Sequence, residues 1–146
     1  MITRIDQFKK LLENRSEDIT NADIGDILSG DDVYSYCQKL HRNEEDFWEG
    51  DLGERIERFP KYMVAEMPID NICTDEYDLD DDKVQEYVDK FKESSGYPPI
   101  VLGYYDSRWG YDIIDGNHRV NALKEMGVKS VRCFVGLNGR QKKVIV

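Results

Sequence analysis

The sequence predicts an α+β protein, with short helices up to about residue 60 and strands alternating with helices from there on. Three observations predict it. Apolar residues ahead of Phe59-Pro60 recur at helical spacing. After Lys61, runs such as Tyr62 to Ile69 and Ser130 to Val135 are rich in β-formers and are bounded by turn residues. Between those runs, Val84, Tyr87, Val88 and Phe91 follow i, i+3, i+4, i+7 without a gap, which is one apolar helix face.

Thr3-Arg4-Ile5-Asp6 resembles a capping box, and Ile5, Phe8, Leu11 and Leu12 continue it as a helix. A second short helix is expected over Ala22 to Ser29, with Gly30 as its stop. A third is expected from Val33 to His41, with Val33, Cys37 and Leu40 on one face. A fourth is expected from about Asn43, carrying Phe47, Leu52 and Ile56 until Phe59-Pro60 ends it. Gly50 and Gly53 weaken it or break it. Trp48 and Phe47 are expected to dock this helical part on the sheet.

Tyr62 to Ile69 reads as a strand, and Pro68 near its end suggests a sheet edge. The acidic stretch Thr74 to Asp82 reads as a loop before the helix at about Asp82 to Glu93. Pro99 to Tyr105 and Trp109 to Ile114 form a hairpin around Asp106-Ser107-Arg108. A helix from His118 to about Met126 follows, stopped by Gly127. After the strand Ser130 to Val135, Asn138-Gly139 signals a turn and Lys143 to Val146 a last return strand. The boundary near Phe59-Pro60 separates an N-terminal helical extension, 1–60, from an α/β part, 61–146, and the two are expected to share one core.

No apolar run approaches the roughly 18 residues of a membrane span, so no membrane partner is expected, and the N-terminus lacks an apolar signal core, so secretion is not expected. Cys37, Cys73 and Cys133 are widely spaced and form no CxxC pair. They read as free thiols in a reducing, cytoplasmic setting, and no protein-held His/Cys metal site is expected. The formal net charge is −10, which argues against non-specific nucleic-acid binding by the chain as a whole. The charge is uneven: His118 to Val146 has seven Lys or Arg against the single acid Glu125, so residues 1–117 carry −16. Arg140, Lys142 and Lys143 read as surface, or as an extension of a phosphate site.

Asp115-Gly116-Asn117-His118-Arg119 joins a strand to a helix. The first amides of a helix lack internal partners, and its dipole is positive there. Gly116 allows a sharp turn and close approach of an anion. Asn117 suits a helix cap, Arg119 offers a planar fork of donors, and His118 can donate a hydrogen bond or move a proton. These features favour a phosphate. Asp-Gly-Asn is also ordinary turn sequence, and Arg119 has a second use in an ion pair with Asp115. Tyr97, Tyr104, Tyr105, Trp109 and Tyr111 gather around the hairpin, where they suit cross-strand packing or, alternatively, stacking on a nucleobase.

Pro98-Pro99-Ile100-Val101-Leu102, the hairpin, Ile113-Ile114-Asp115-Gly116-Asn117-His118-Arg119, Ala122-Leu123 and Met126-Gly127-Val128 occur in an order that resembles the ParB/sulfiredoxin superfamily over roughly residues 61–136. The resemblance implies a small mixed sheet with flanking helices. The superfamily includes partition proteins that bind and hydrolyse CTP, sulfiredoxins that use ATP, free-serine kinases that use ADP, and phage or plasmid ParB-like nucleases. It implies that Gly116, Asn117, His118 and Arg119 hold nucleotide phosphates. Asn117 stands where sulfiredoxin has its catalytic cysteine, so sulfinic-acid reduction by that route is excluded. Partition proteins show Gly-Glu-Arg-Arg in place of Gly116-Asn117-His118-Arg119 and carry a helix-turn-helix after the fold, so DNA segregation is not expected. The kinase branch, whose loop reads Asp-Gly-His-His-Arg, is closer, and its catalytic glutamate corresponds in place to Glu76. The acids around Glu76, namely Asp75, Asp78, Asp80, Asp81 and Asp82, also suit a solvated helix start or a share in magnesium binding.

The leading expectation is therefore a nucleotide-binding protein, an NTPase or phosphotransferase. Asp115 to Arg119 would hold phosphates, and Glu76 and His118 would be the catalytic candidates. ATP, ADP or CTP, with Mg2+, is the expected cofactor. A ParB-like DNA-binding protein or nuclease is the second reading. A non-catalytic phage- or plasmid-type protein that binds a host protein is the third.

Overall fold

Five strands form one sheet in the computed structural model, which describes residues 19–42, 51–74, 79–94, 96–138 and 144–145. They are β1 (Ile27–Ser29), β2 (Lys61–Pro68), β3 (Ile100–Asp106), β4 (Gly110–Asp115) and β5 (Ser130–Gly136), in the order β1-β2-β5-β3-β4. β3 and β5 run parallel, whereas the other pairs are antiparallel, so the sheet is mixed. Among the described residues four helices flank it: α1 (Gly30–Leu40), α2 (Leu52–Glu57), α3 (Asp81–Lys92) and α4 (Asn117–Glu125).

Both faces of the sheet are buried, and each strand divides its side chains between them. Ala65 and Met67 of β2, Ile100 and Leu102 of β3, and Val131, Cys133 and Val135 of β5 pack with Val84, Val88 and Phe91 of α3 and Val120 and Leu123 of α4. Tyr62, Val64, Val101 and Phe134 face the other way, onto Val33, Tyr36 and Cys37 of α1 and Leu52 and Ile56 of α2. Such two-sided burial explains why β3 and β5 read as nearly unbroken apolar runs. The residues before 60 thus supply one strand and cover one face of the common sheet.

The helix expected over Ala22 to Ser29 is not formed. A 3-10 turn at Ile19–Asn21 leads instead into β1. The free edge of β2 decides the outcome: the Gly25 N–H donates to Val64 O at 2.8 Å and the Val64 N–H donates to Asp26 O at 3.0 Å. Ile24 and Ile27, placed on an apolar helix face by spacing, are 53% and 46% exposed. Gly30 begins α1 rather than ending a helix, and Ser29 Oγ caps it by accepting from the Asp32 N–H at 3.1 Å. β2 is an inner strand where β1 pairs with it and has one open side beyond, where Pro68 lies as expected. β1 pairs with it over Lys61 to Met63 only, so Pro68 lies beyond β1 and loses no ladder bond on that side.

The capping box at Thr3 with its helix, the start of the fourth helix with Phe47 and Trp48, and Arg140, Lys142 and Lys143 fall outside the described residues. Val144 and Ile145 are not in a strand, and the Ile145 N–H donates to Tyr111 Oη at 2.8 Å. Among the described residues no helix is long and apolar enough to cross a membrane.

Candidate functional site

β4 ends at Asp115, Gly116 turns the chain with φ +122°, and α4 starts at Asn117. A side chain at 116 would be strained by that φ and would sit 2.8 Å from Ile100 Cδ1 and 3.0 Å from Arg119 Nη2. Gly116 is itself the N-cap, with no side-chain cap bond, and its carbonyl accepts the Val120 N–H at 2.9 Å. Asn117 is therefore the first helical residue, not the cap expected of it. Its Oδ1 and carbonyl accept from Asn121 Nδ2 at 3.3 and 2.8 Å.

The sequence brings two helix starts together here. α3 is capped by Asp80, whose carboxylate accepts the Asp82 and Lys83 amides. The Asp80 N–H in turn donates to His118 Nε2 at 3.1 Å. An accepting Nε2 places the ring proton on Nδ1, so His118 is neutral in this arrangement. The two helices differ in charge: Asp81 and Asp82 stand in the first turn of α3, whereas the first turn of α4 carries no acid. The positive end of the α4 dipole is thus left uncompensated by its own first turn.

Arg119 takes the second of its two uses. It is 1% exposed, and Nη1 donates to Pro98 O and Pro99 O at 3.1 and 3.0 Å. Nη2 donates to Asp115 Oδ2 at 3.2 Å, and Nε has no acceptor among the described residues. The fork expected to face a phosphate points instead into the protein. There it ties the segment before β3 to the turn. The apolar surroundings that exclude water from it also make these carbonyls its available acceptors.

Asp115 is more enclosed than a turn aspartate usually is. Burial on its own would raise its pKa, but the His41 hydrogen bond and the Arg119 charge outweigh that and hold the carboxyl below its ordinary value. His41 Nε2 lies 3.0 and 2.9 Å from the two carboxylate oxygens. Just upstream, Arg55 of α2 donates to Ile113 O at 2.7 Å and to Ile114 O at 3.3 Å. Burial pushes the neighbouring Cys37 thiol well above its ordinary pKa, so it is no thiolate nucleophile.

Sequence reasoning missed His41, Arg55 and Tyr36. The signal for His41 was present, because it continues the Val33 and Cys37 stripe at i+4 spacing and so had to face inward. Arg55 and Tyr36 bond to main-chain oxygens distant in sequence, which no local pattern announces.

Glu76 falls outside the described residues, but both flanks of its loop are tied to α4. Lys124 Nζ donates to Thr74 Oγ1 at 3.1 Å, and Asp80 meets His118 as above. Among the described residues no group of three or more His, Cys, Asp or Glu could hold a metal ion alone. Tyr105 packs on Tyr111 across the hairpin, whereas Tyr104 packs on Phe59 and Tyr97 on Phe91, outside it. Trp109 is 67% exposed.

Residues 54–146 match the family model of the ParB N-terminal domain. Among solved structures, a sulfiredoxin from Arabidopsis thaliana is 26% identical with a TM-score of 0.42, over 50% of this chain and 83% of that one. A free serine kinase in complex with AMP is 23% identical with a TM-score of 0.43, over 51% of this chain and 30% of the kinase. A C-terminally truncated chromosome-partitioning protein ParB from Caulobacter crescentus, complexed with CTP-gamma-S, is 20% identical with a TM-score of 0.44, over 54% of this chain and 47% of that one. No curated protein matches significantly.

Proposed function

The chain belongs to the ParB N-terminal-domain family, and from that premise we propose that it binds a nucleotide whose phosphates rest on the turn from Gly116 to His118. The observation that carries this reading is the start of α4: a glycine cap at φ +122°, no acid in the first turn, and His118 bridging to the start of α3. Backbone amides at such a start, with the dipole behind them, suit a phosphate. Asp115 does not cancel that field, because its charge is met by Arg119 and His41. Arg119 acts by holding the turn, its charge paired with the Asp115 carboxylate.

The chemistry assigned to the site is phosphoryl transfer or nucleotide hydrolysis. Glu76 is the candidate base for an acceptor hydroxyl or water. His118 is the candidate hydrogen-bond donor to the transferred group. Magnesium would come with the nucleotide, held chiefly by phosphate oxygens. ATP, ADP and CTP are the candidates.

A thermal-shift panel of ATP, ADP, CTP and GTP, with and without magnesium, tests the reading. A ligand present at about 100 times its Kd stabilises the native state by about 2.7 kcal/mol, which raises the melting temperature by several degrees. Stabilisation by one of the four, lost in His118→Ala, is expected. A flat response to all four overturns the proposal.

A further inference from the structure

The last turn of α1 precedes the residues that match the family model, 54–146, yet it reaches into the turn assigned to phosphate. His41 ends α1, and its backbone N–H donates to Cys37 O. Its side chain is buried, with Nε2 at 2.9 and 3.0 Å from the Asp115 oxygens. An ionised carboxylate only accepts, so Nε2 carries a proton and donates it. Asp115 is thus clasped from two sides, by Arg119 of α4 and by His41 of α1.

The two clasps are not equivalent. Arg119 is four residues along the same segment, so its bond moves with the turn. His41 is 74 residues away in sequence and fixes the turn to the opposite layer of the protein. Gly116, the next residue, has a permissive backbone that does not itself choose a direction for the amides that follow. Attachment of α1 does not need this bond, because Val33, Tyr36 and Cys37 already bury the helix against Val101, Ile114 and Phe134. A buried polar pair is a poor way to add stability when an apolar contact would serve.

We propose that His41 is a positioning residue for the phosphate turn, acting through the Asp115 carboxylate to set the direction of the first amides of α4. The inference rests on the nucleotide-binding reading for its purpose, but its geometry can be measured without a nucleotide. His41 does not touch the ligand. It holds the residue that precedes the cap, and the Val120 N–H, bonded to Gly116 O at 2.9 Å, reports on that hold.

The test compares His41→Ala and His41→Gln with the wild type, because the Gln amide reaches the position of Nε2 and donates without a charge. Hydrogen exchange is read at Val120, with the Ala65 and Cys133 amides of the β2·β5 ladder as the reference for global opening. Nucleotide affinity is read by calorimetry, with whichever nucleotide of the panel stabilises the wild type. In His41→Ala, Val120 should exchange at least tenfold faster relative to the ladder, and nucleotide affinity should fall at least tenfold. His41→Gln should recover most of both. The proposal is overturned if Val120 and the ladder accelerate by the same factor, if Val120 does not change, or if Gln does no better than Ala. Should the wild type bind none of the four nucleotides, the functional reading falls, and the exchange measurement still decides whether His41 sets the turn.

Discussion

Tyr36 and Arg119 share one acceptor: the Pro99 carbonyl oxygen receives the tyrosine hydroxyl at 2.7 Å and the guanidinium Nη1 at 3.0 Å. One residue comes from α1 and the other from α4, and they meet just before β3 from opposite faces of the sheet. Arg119 is thereby a structural keystone as well as the ion-pair partner of Asp115. Its truncation would take a donor from Pro98 O, from Pro99 O, which keeps Tyr36, and from the buried Asp115 carboxylate, which keeps only His41 of its two clasps. Arg119→Ala should therefore lose about 3–5 kcal/mol of stability, as removal of one member of a buried pair does. Urea unfolding measures it. A loss under about 1 kcal/mol, the range of exposed pairs, would mean that the guanidinium is not held inside.

The same contact gives the protein an alkaline limit. Burial lifts the Tyr36 hydroxyl from 10.0 to about 12, against the opposing pull of Arg119. The folded state keeps this proton where the unfolded chain has lost it. Its contribution is complete below pH 10 and drains away as pH rises towards 12. At about 1.4 kcal/mol per pH unit, the window is worth roughly 2–3 kcal/mol. Tyr36→Phe lacks the bond, and should start about 1 kcal/mol less stable than the wild type at pH 8. It also lacks the proton, so the two stabilities should cross before pH 12. Parallel curves from pH 8 to 12 would show that Tyr36 titrates normally. Tyr62 and Tyr111 are shifted in the same direction by burial and remain in both proteins, so they do not disturb the comparison.

What the sequence disclosed follows from how local each determinant is. α3 was legible because Val84, Val88 and Phe91 write its buried face in consecutive turns. The hairpin and the strand from Ser130 were legible for the same reason, as was Gly127, which adopts φ +76° past the end of α4. β1 was not legible, because Ile27 to Ser29 become a strand only when β2 offers its edge. At the site, the position of the turn was readable from Asp115-Gly116, since few residues but glycine accept φ +122°. The direction of the Arg119 side chain was not. A guanidinium after a phosphate-type turn serves an anion or the interior equally well by pattern. The choice was made by Pro98, Pro99 and Asp115, whose acceptors converge in space.

Phe59 shows how closely the N-terminal layer meets the sheet. A Cβ built on Gly136 would lie 2.5 Å from its ring, and one on Gly103 would lie 3.4 Å away. Glycine at these two strand positions makes the slot that the ring fills. Gly136→Ala should cost about 1–3 kcal/mol through overpacking. Pairing it with Phe59→Ala should recover part of that loss, because the clash is gone. The double-mutant cycle in urea should give a coupling energy well above the roughly 0.5 kcal/mol of independent sites. Simple additivity would place Phe59 elsewhere.

Gly116 separates stability from binding most directly. Any L side chain there meets a backbone conformation that costs about 1–3 kcal/mol, and it also presses on Ile100 Cδ1 and Arg119 Nη2. Gly116→Ala should therefore be destabilised by that amount in urea while keeping its circular dichroism spectrum. The added methyl would press inward on Ile100 and Arg119, which hold the turn, and so shift the first amides of α4, and nucleotide affinity should fall at least tenfold. Gly127→Ala is the matched control. It too places alanine at positive φ, but a Cβ there meets nothing within 4 Å, and it lies past the far end of α4. It should lose comparable stability and keep its affinity. If both variants lose stability and neither loses affinity, the phosphates do not rest on the turn at Gly116.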